Sequence, residues 1–182
     1  MEHFEPKRQG LAEQLQRTRL FRYLSEEQVH RVTASADFLR YDAEERIIEE
    51  HSVDDALYVV LRGTVSVRVR EQEREVYICT LGSGEVFGEA GVFLNMKRTA
   101  SVMANDEGAS VMRIRRSAFM KAIEDNPKAG IKVLLTMIYS LMQKLREVNL
   151  ELAFERREDA SQESIDAMIE EMMPAETKDI LE

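Results

Sequence analysis

The hydrophobic period of this chain switches from strand-like to helical near Ser117, and that switch limits the stretch from Phe38 onward to strands followed by helix. Before it, apolar residues come in short runs or alternate with polar ones. Leu57-Tyr58-Val59-Val60-Leu61 is a β-rich run that ends before Gly63. Val65, Val67 and Val69 alternate with Ser66, Arg68 and Arg70, the pattern of a strand with one buried face. Val76 to Leu81 reads as its partner strand across the polar connection 71–75, and Gly82-Ser83-Gly84 turns the chain. A loop, Asn105-Asp106-Glu107-Gly108, precedes one more strand from Ser110 to Ile114. Several short strands broken by turns predict a small antiparallel barrel or sandwich.

After Ser117 the period is helical. Ser117 can cap a helix containing Phe119, Met120 and Ile123, and Asp125-Asn126-Pro127 is a break and restart, with Pro127 suited to a first helical turn. Ile131, Leu134, Ile138, Leu141, Leu145, Val148 and Leu152 then follow spacings of 3, 4, 3, 4, 3, 4. This heptad seam predicts one helix from near Pro127 to near Arg157. A helix of roughly thirty residues is about 45 Å long, more than a small barrel can cover. The seam therefore reads as pairing with a second copy of the chain, a homodimer; simply covering the barrel is the competing reading. Upstream, residues 1–36 read as an N-terminal helical segment. In it Ser25 and Gln28 form a helix-start box, with Leu24 placed as a staple and Val29 and Val32 on one face. Near the other end, Ile165, Met168, Ile169 and Met172 make a narrow apolar stripe before Pro174. It reads either as a short helix or as a transient one in a frayed tail.

Composition narrows the function classes. The 182 residues suffice for one domain with a core, and 44% are apolar, which suits a soluble protein. A single cysteine, Cys79, excludes an internal disulfide and points to a reducing, cytoplasmic compartment. Its apolar surroundings, Val76 to Leu81, make it a small filler rather than a reactive thiol. No apolar run approaches a membrane span, and the start of the chain lacks the basic and apolar regions of a secretion signal. Net charge is −9, of which residues 155–182 carry −7, with ten acidic and three basic side chains. Such a tail repels phosphate backbones and gives no footprint for nucleic acid. The three histidines, His3, His30 and His51, pair with no nucleophile or metal cluster in any pattern of an enzyme. One cysteine cannot hold an iron–sulfur cluster, and no histidine stands where a haem ligand is expected.

The chemistry concentrates in Phe87-Gly88-Glu89-Ala90-Gly91-Val92-Phe93-Leu94-Asn95-Met96-Lys97-Arg98-Thr99-Ala100-Ser101-Val102. A carboxylate accepts hydrogen bonds from a ribose hydroxyl, and a guanidinium matches a phosphate as a planar, multi-donor fork. Gly88 and Ala90 let backbone N–H groups approach an anion. The segment suits a small molecule that is both sugar and phosphate.

With these residues, the stretch from about Leu20 to Leu152 resembles the cyclic nucleotide-binding domain family. That family includes bacterial catabolite-activator-like regulators, regulatory subunits of cyclic-nucleotide-dependent kinases, and gating domains of nucleotide-modulated channels. The Phe-Gly-Glu and Arg-Thr-Ala-Ser-Val pieces resemble its phosphate-binding cassette, with Glu89 and Arg98 nine residues apart. Leu57 to Val65 resembles its strand, glycine turn and second strand.

The resemblance implies an α+β fold: an antiparallel jelly roll (a cupin-like double-stranded β-helix) at 37–116, followed by C-terminal helices at 117–157 and an acidic tail at 158–182. It implies a cyclic nucleotide sensor, not an enzyme, with no cofactor beyond its ligand, cAMP or cGMP. Glu89 is expected to take the ribose 2′-hydroxyl and Arg98 the cyclic phosphate. Backbone N–H groups near Gly88, Ala90, Thr99 and Ala100, and a short helix starting near Glu89, complete the cradle beside Phe87. Thr99 leaves the base open between adenine and guanine. Asn149, chosen over Arg146 and Glu147 for offering donor and acceptor together, is the expected base contact.

Two departures stand out. Lys97 occupies a position where the family often has proline, and Glu49 to Asp55 lacks the family's turn glycine after Ile47-Ile48. That turn is expected to lie away from the cassette. A DNA-binding regulator of the same family is disfavoured, because no basic recognition helix follows Leu152. A partner-binding module with a vestigial pocket is a further alternative, and any downstream protein partner is unknown.

Overall fold

In the computed structural model the described residues are 1–6, 10–72, 74–94 and 96–172, with the side chains of 151 and 155–172 left aside. The elements in chain order are β1 (Glu2–His3), α1 (Leu11–Gln16), α2 (Glu26–Thr33), β2 (Asp37–Tyr41), β3 (Arg46–Ile48), β4 (Ala56–Glu71), β5 (Arg74–Leu81), β6 (Val86–Phe87), α3 (Glu89–Leu94), β7 (Ser101–Arg115), α4 (Arg116–Asp125) and α5 (Pro127–Met172). The strands run β1-β2-β7-β4-β5, with β3 also on β7 and β6 also on β4, and every pairing is antiparallel. This is the jelly-roll fold expected from the sequence, with a long C-terminal helix.

Glycines act differently from the expectation. Gly63 and Gly108 do not end strands; they bend two long ones, β4 and β7. Gly63 pairs with Ala109, and the register between β4 and β7 shifts on either side of it. Bulges of this kind curve a sheet without breaking it. Both glycines have positive φ, 78° and 72°, and a Cβ on Gly63 would stand 2.2 Å from the Gly108 carbonyl oxygen. The two bends are thus packed against each other, and only a residue without a side chain fits there.

Alternation on β4 separates two cores. Tyr58 and Val60 face inward to Leu39, Tyr41, Phe87 and Val111, while Leu57 and Val59 face outward to Phe21, Val29, Met112 and Phe119. Each such fully buried side chain contributes about 1.5–3 kcal/mol. Cys79 packs partly buried against the inner core. The capping box at Ser25 and Gln28 is present. The start of α4 differs from expectation. β7 runs straight into it, so the helix begins at Arg116, whose N–H bonds the Asp55 carbonyl, and Ser117 lies inside the helix instead of capping it. The N-terminal segment is not wholly helical either, since β1 adds a strand beside β2.

The chain divides into two compact units, Met1–Met137 and Ile138–Glu182. Within the first, α5 buries Ala129, Val133 and Met137, at a spacing of four, into the outer core. Of the heptad seam, Leu134 is half-buried and packs against that core, while Ile131 is exposed. In the second unit Ile138, Leu141, Leu145, Val148 and Leu152 are exposed. The helix does not stop near Arg157 but continues to Met172, taking in the backbone of the Ile165–Met172 stripe.

Gly63→Ala is expected to lower stability by about 2–4 kcal/mol, because it combines backbone strain with a clash that backbone atoms cannot yield to. Urea denaturation should show a lower midpoint with an unchanged slope.

Candidate functional site

β6 ends at Phe87, Gly88 turns the backbone at φ 80°, and Glu89 begins α3. The chain returns through Arg98 to β7. Arg98 is 5% exposed, and its guanidinium closes the loop. Nη1 donates to the Gly88 carbonyl at 2.8 Å; Nη2 donates to Asp54 Oδ2 at 2.7 Å and to the Ala56 carbonyl at 2.5 Å. The two ends of the segment are joined in this way, with the arginine fastened to the residue that precedes Glu89. Nε of Arg98 is buried as well, yet it has no hydrogen-bond partner among the described residues.

Asp54 is held from several sides. Its Oδ1 accepts the Ala56 N–H at 3.1 Å, and its Oδ2 accepts the Tyr58 hydroxyl at 3.0 Å. Tyr58 stacks on Phe87 with ring centroids 5.0 Å apart, and the Arg98 guanidinium carbon lies 5.9 Å from the Tyr58 ring centre. Burial, then the charge and hydrogen bond of Asp54, push the Tyr58 pKa well up, so the phenol stays protonated and donates.

The turn 49–55 does not lie away from this segment, contrary to expectation. The His51 N–H bonds the Arg98 carbonyl at 2.8 Å, and the Arg98 N–H bonds the Ser52 carbonyl at 3.0 Å. Glu50 N–H donates to Ser101 Oγ at 3.1 Å. His51 takes φ 64°, the left-handed conformation that glycine adopts more readily. The turn keeps its shape without the glycine because backbone bonds to Arg98 hold it.

Residues 38–126 match the family model of the cyclic nucleotide-binding domain. These residues belong to the cyclic nucleotide-binding domain family.

Over 64 residues, 35% of this chain, the domain is 44% identical to the cAMP-dependent protein kinase type II regulatory subunit of Drosophila melanogaster and covers 17% of that protein. It is similar to the catabolite activator protein of Thermus thermophilus at 27% identity, covering 75% of this chain and 62% of that one, with a TM-score of 0.65. A cyclic nucleotide-binding domain from Methylobacillus flagellatus shares the fold, with a TM-score of 0.70 at 23% identity over 80% of this chain and 84% of that one. The chain spans less than a fifth of the length of the first curated relatives it matches.

Within the domain the structure brings Phe87, Gly88, Glu89 and Ala90 into one corner with Arg98, Thr99 and Ala100. Phe87 and Arg98 are buried, Gly88, Glu89 and Ala100 half-buried, and Ala90 and Thr99 exposed. Asn149 is an exposed residue of the second unit. Among the described residues no group of three or more His, Cys, Asp or Glu could hold a metal ion, and no helix is long and apolar enough to cross a membrane.

Asp54 and Tyr58 were not among the residues expected from sequence. The doublet Asp54-Asp55 before the β-run was visible, but nothing in it separates the two. Asp54 supplies the carboxylate to Arg98, whereas Asp55 is used through its backbone carbonyl.

A Cβ on Gly91 would stand 2.6 Å from Arg98 Nη1 and 2.7 Å from the Asp54 carbonyl oxygen. Gly91→Ala is expected to destabilise the fold by about 1–3 kcal/mol despite its higher helix propensity. Equilibrium unfolding of the variant against the parent chain checks the sign.

Proposed function

We propose that the domain binds a cyclic nucleoside monophosphate, cAMP or cGMP, and acts as a sensor. The observation that carries the reading is the buried, unpaired Nε–H of Arg98. A buried charged donor without an acceptor is unfavourable, and an anion at that position would satisfy it. The other nitrogens are already fixed, so the free donor is pre-oriented. In this reading Arg98 takes the cyclic phosphate and Glu89 the ribose hydroxyl. Phe87 backs the site, and the N–H groups of Gly88, Ala90, Thr99 and Ala100 supply further donors.

Family membership, and relatives that include a cAMP-dependent kinase regulatory subunit and cGMP-dependent kinases, support this ligand class without choosing the base. Binding requires only the groups present, so the proposed role is regulatory and not catalytic. The exposed seam of α5 is the proposed homodimer contact, and movement of this helix is the proposed output, read by an unknown protein partner. The lone cysteine suits a cytoplasmic setting.

Titration calorimetry with cAMP and with cGMP should show saturable binding to the parent chain. Arg98→Ala should weaken it about 100-fold or more, and Glu89→Gln about tenfold, as expected for charge-assisted hydrogen bonds. No heat from either nucleotide at high micromolar concentration would sink the reading.

A separate measurement addresses assembly. The parent chain should sediment as a dimer, and Leu145→Glu, which places a charge in the seam, should sediment as a monomer with its circular dichroism otherwise retained.

A further inference from the structure

Asp37, Arg113, Tyr58 and Phe87 form one row across four strands. Asp37 on β2 pairs with Arg113 on β7, Arg113 with Tyr58 on β4, and Tyr58 with Phe87 on β6. Directly opposed residues of antiparallel strands share a face, so the four side chains stand side by side. Arg113 donates from Nε and Nη2 to Asp37 Oδ2 at 3.0 and 2.7 Å. Its positive charge also stands beside the Tyr58 phenol, directly opposite it in the ladder. Tyr58 donates onward to Asp54 Oδ2, the same oxygen that receives Arg98 Nη2.

The polarity of this row is fixed. A guanidinium has donors and no acceptor. It can therefore offer the Tyr58 hydroxyl only hydrogens, which leaves the phenolic hydrogen free to point at Asp54. Phe87 locks the ring by stacking, so the hydroxyl cannot swing to another acceptor. Asp54 is partly exposed, with 27% of its side chain accessible, and would otherwise have freedom to leave Arg98 for water. The result is an alternation of charge, Asp37, Arg113, Asp54, Arg98, with the phenol as the joint in the middle.

We propose that Arg113, anchored by Asp37, is a positioning residue for ligand binding: through Tyr58 and Asp54 it holds the Arg98 guanidinium with Nε turned toward the phosphate. This rests on the reading that Arg98 binds a cyclic phosphate. Arg113 acts through other side chains, so its effect depends on the Tyr58 hydroxyl.

The test uses the full chain and two readouts. Calorimetry with cAMP and cGMP should show binding weakened about five- to tenfold by Arg113→Met, with Arg113→Lys recovering part of the loss. In a Tyr58→Phe background the same Arg113→Met change should produce no further loss, whereas a merely structural role would lower affinity equally in both backgrounds. Arginine side-chain NMR supplies the second readout: the Arg98 Nε–H signal should be sharp and slowly exchanging in the parent chain without nucleotide and broadened in Arg113→Met. If Arg113→Met does not fold, Arg113→Lys and Tyr58→Phe complete the same cycle. Unchanged affinity, or equal loss in both backgrounds, overturns the proposal. If the parent chain binds neither nucleotide, the ligand reading fails, and the Arg98 Nε–H signal alone then decides whether Arg113 positions that side chain.

Discussion

Much of this fold is arranged around one buried cation. A guanidinium taken out of water is strongly unfavourable unless carboxylate and carbonyl acceptors replace the solvent. Arg98 finds three such acceptors, on Gly88, Asp54 and Ala56, and each imposes a condition on the chain. Gly88 and Gly91 must lack side chains, because a Cβ at either would stand within 2.8 Å of Arg98 Nη1. The turn before β4 must come close enough for Asp54 to reach, and it is drawn in by paired backbone bonds between His51, Ser52 and Arg98. Ala56 must present its carbonyl where β4 begins. Two stretches, 51–56 and 88–91, converge on Arg98.

The parts of this arrangement that are local were legible in the sequence. Alternation at Val65–Val69, the box at Ser25–Gln28 and Pro127 at the start of a helix each depend on neighbours a few residues away, whereas the short helix beginning at Glu89 was expected from the family resemblance. The residue types of the cassette were also legible, since a glycine, a carboxylate and an arginine carry their chemistry wherever they fold. The long-range contacts were not. Asp54 and Arg98 are 44 residues apart, and no periodicity links them. Nor did the turn 49–55 announce that it touches the cassette. Its missing glycine drew attention only as a local departure, whereas in the structure His51 takes a left-handed backbone conformation with its N–H bonded to the Arg98 carbonyl.

Glycine was the other source of error, and the reason is physical. Gly63 and Gly108 sit amid polar residues, which is how a reversal of chain direction reads. In the structure they are bends within continuous strands, stacked on each other so that the sheet can curve and close. A positive φ serves a hairpin and a bulge equally well. Only the partner strand distinguishes them. Beside the seam of α5 runs a second stripe, Ala129, Val133 and Met137, which packs on the barrel and whose small first member left little trace in the pattern. One helix therefore carries an inner face for the domain and, along the exposed seam, an apolar face of the kind that marks an interaction surface.

The Arg98–Asp54 pair also bears on how such a site could respond to a ligand. An anion arriving at Arg98 meets a guanidinium that already holds one carboxylate, so the charges of Asp54 and the newcomer repel. Were Asp54 only a competitor, the guanidinium would be expected to use up its donors on the protein. Instead Nε is left over, buried and aimed by the bonds at the other two nitrogens. The aspartate thus opposes an anion by charge and favours it by orientation. Which effect dominates depends on how firmly Asp54 is held, because only a fixed carboxylate orients its partner. A ligand shifts a conformational equilibrium only when its affinity differs between the states, and a carboxylate that either grips or releases Arg98 is a physical basis for such a difference.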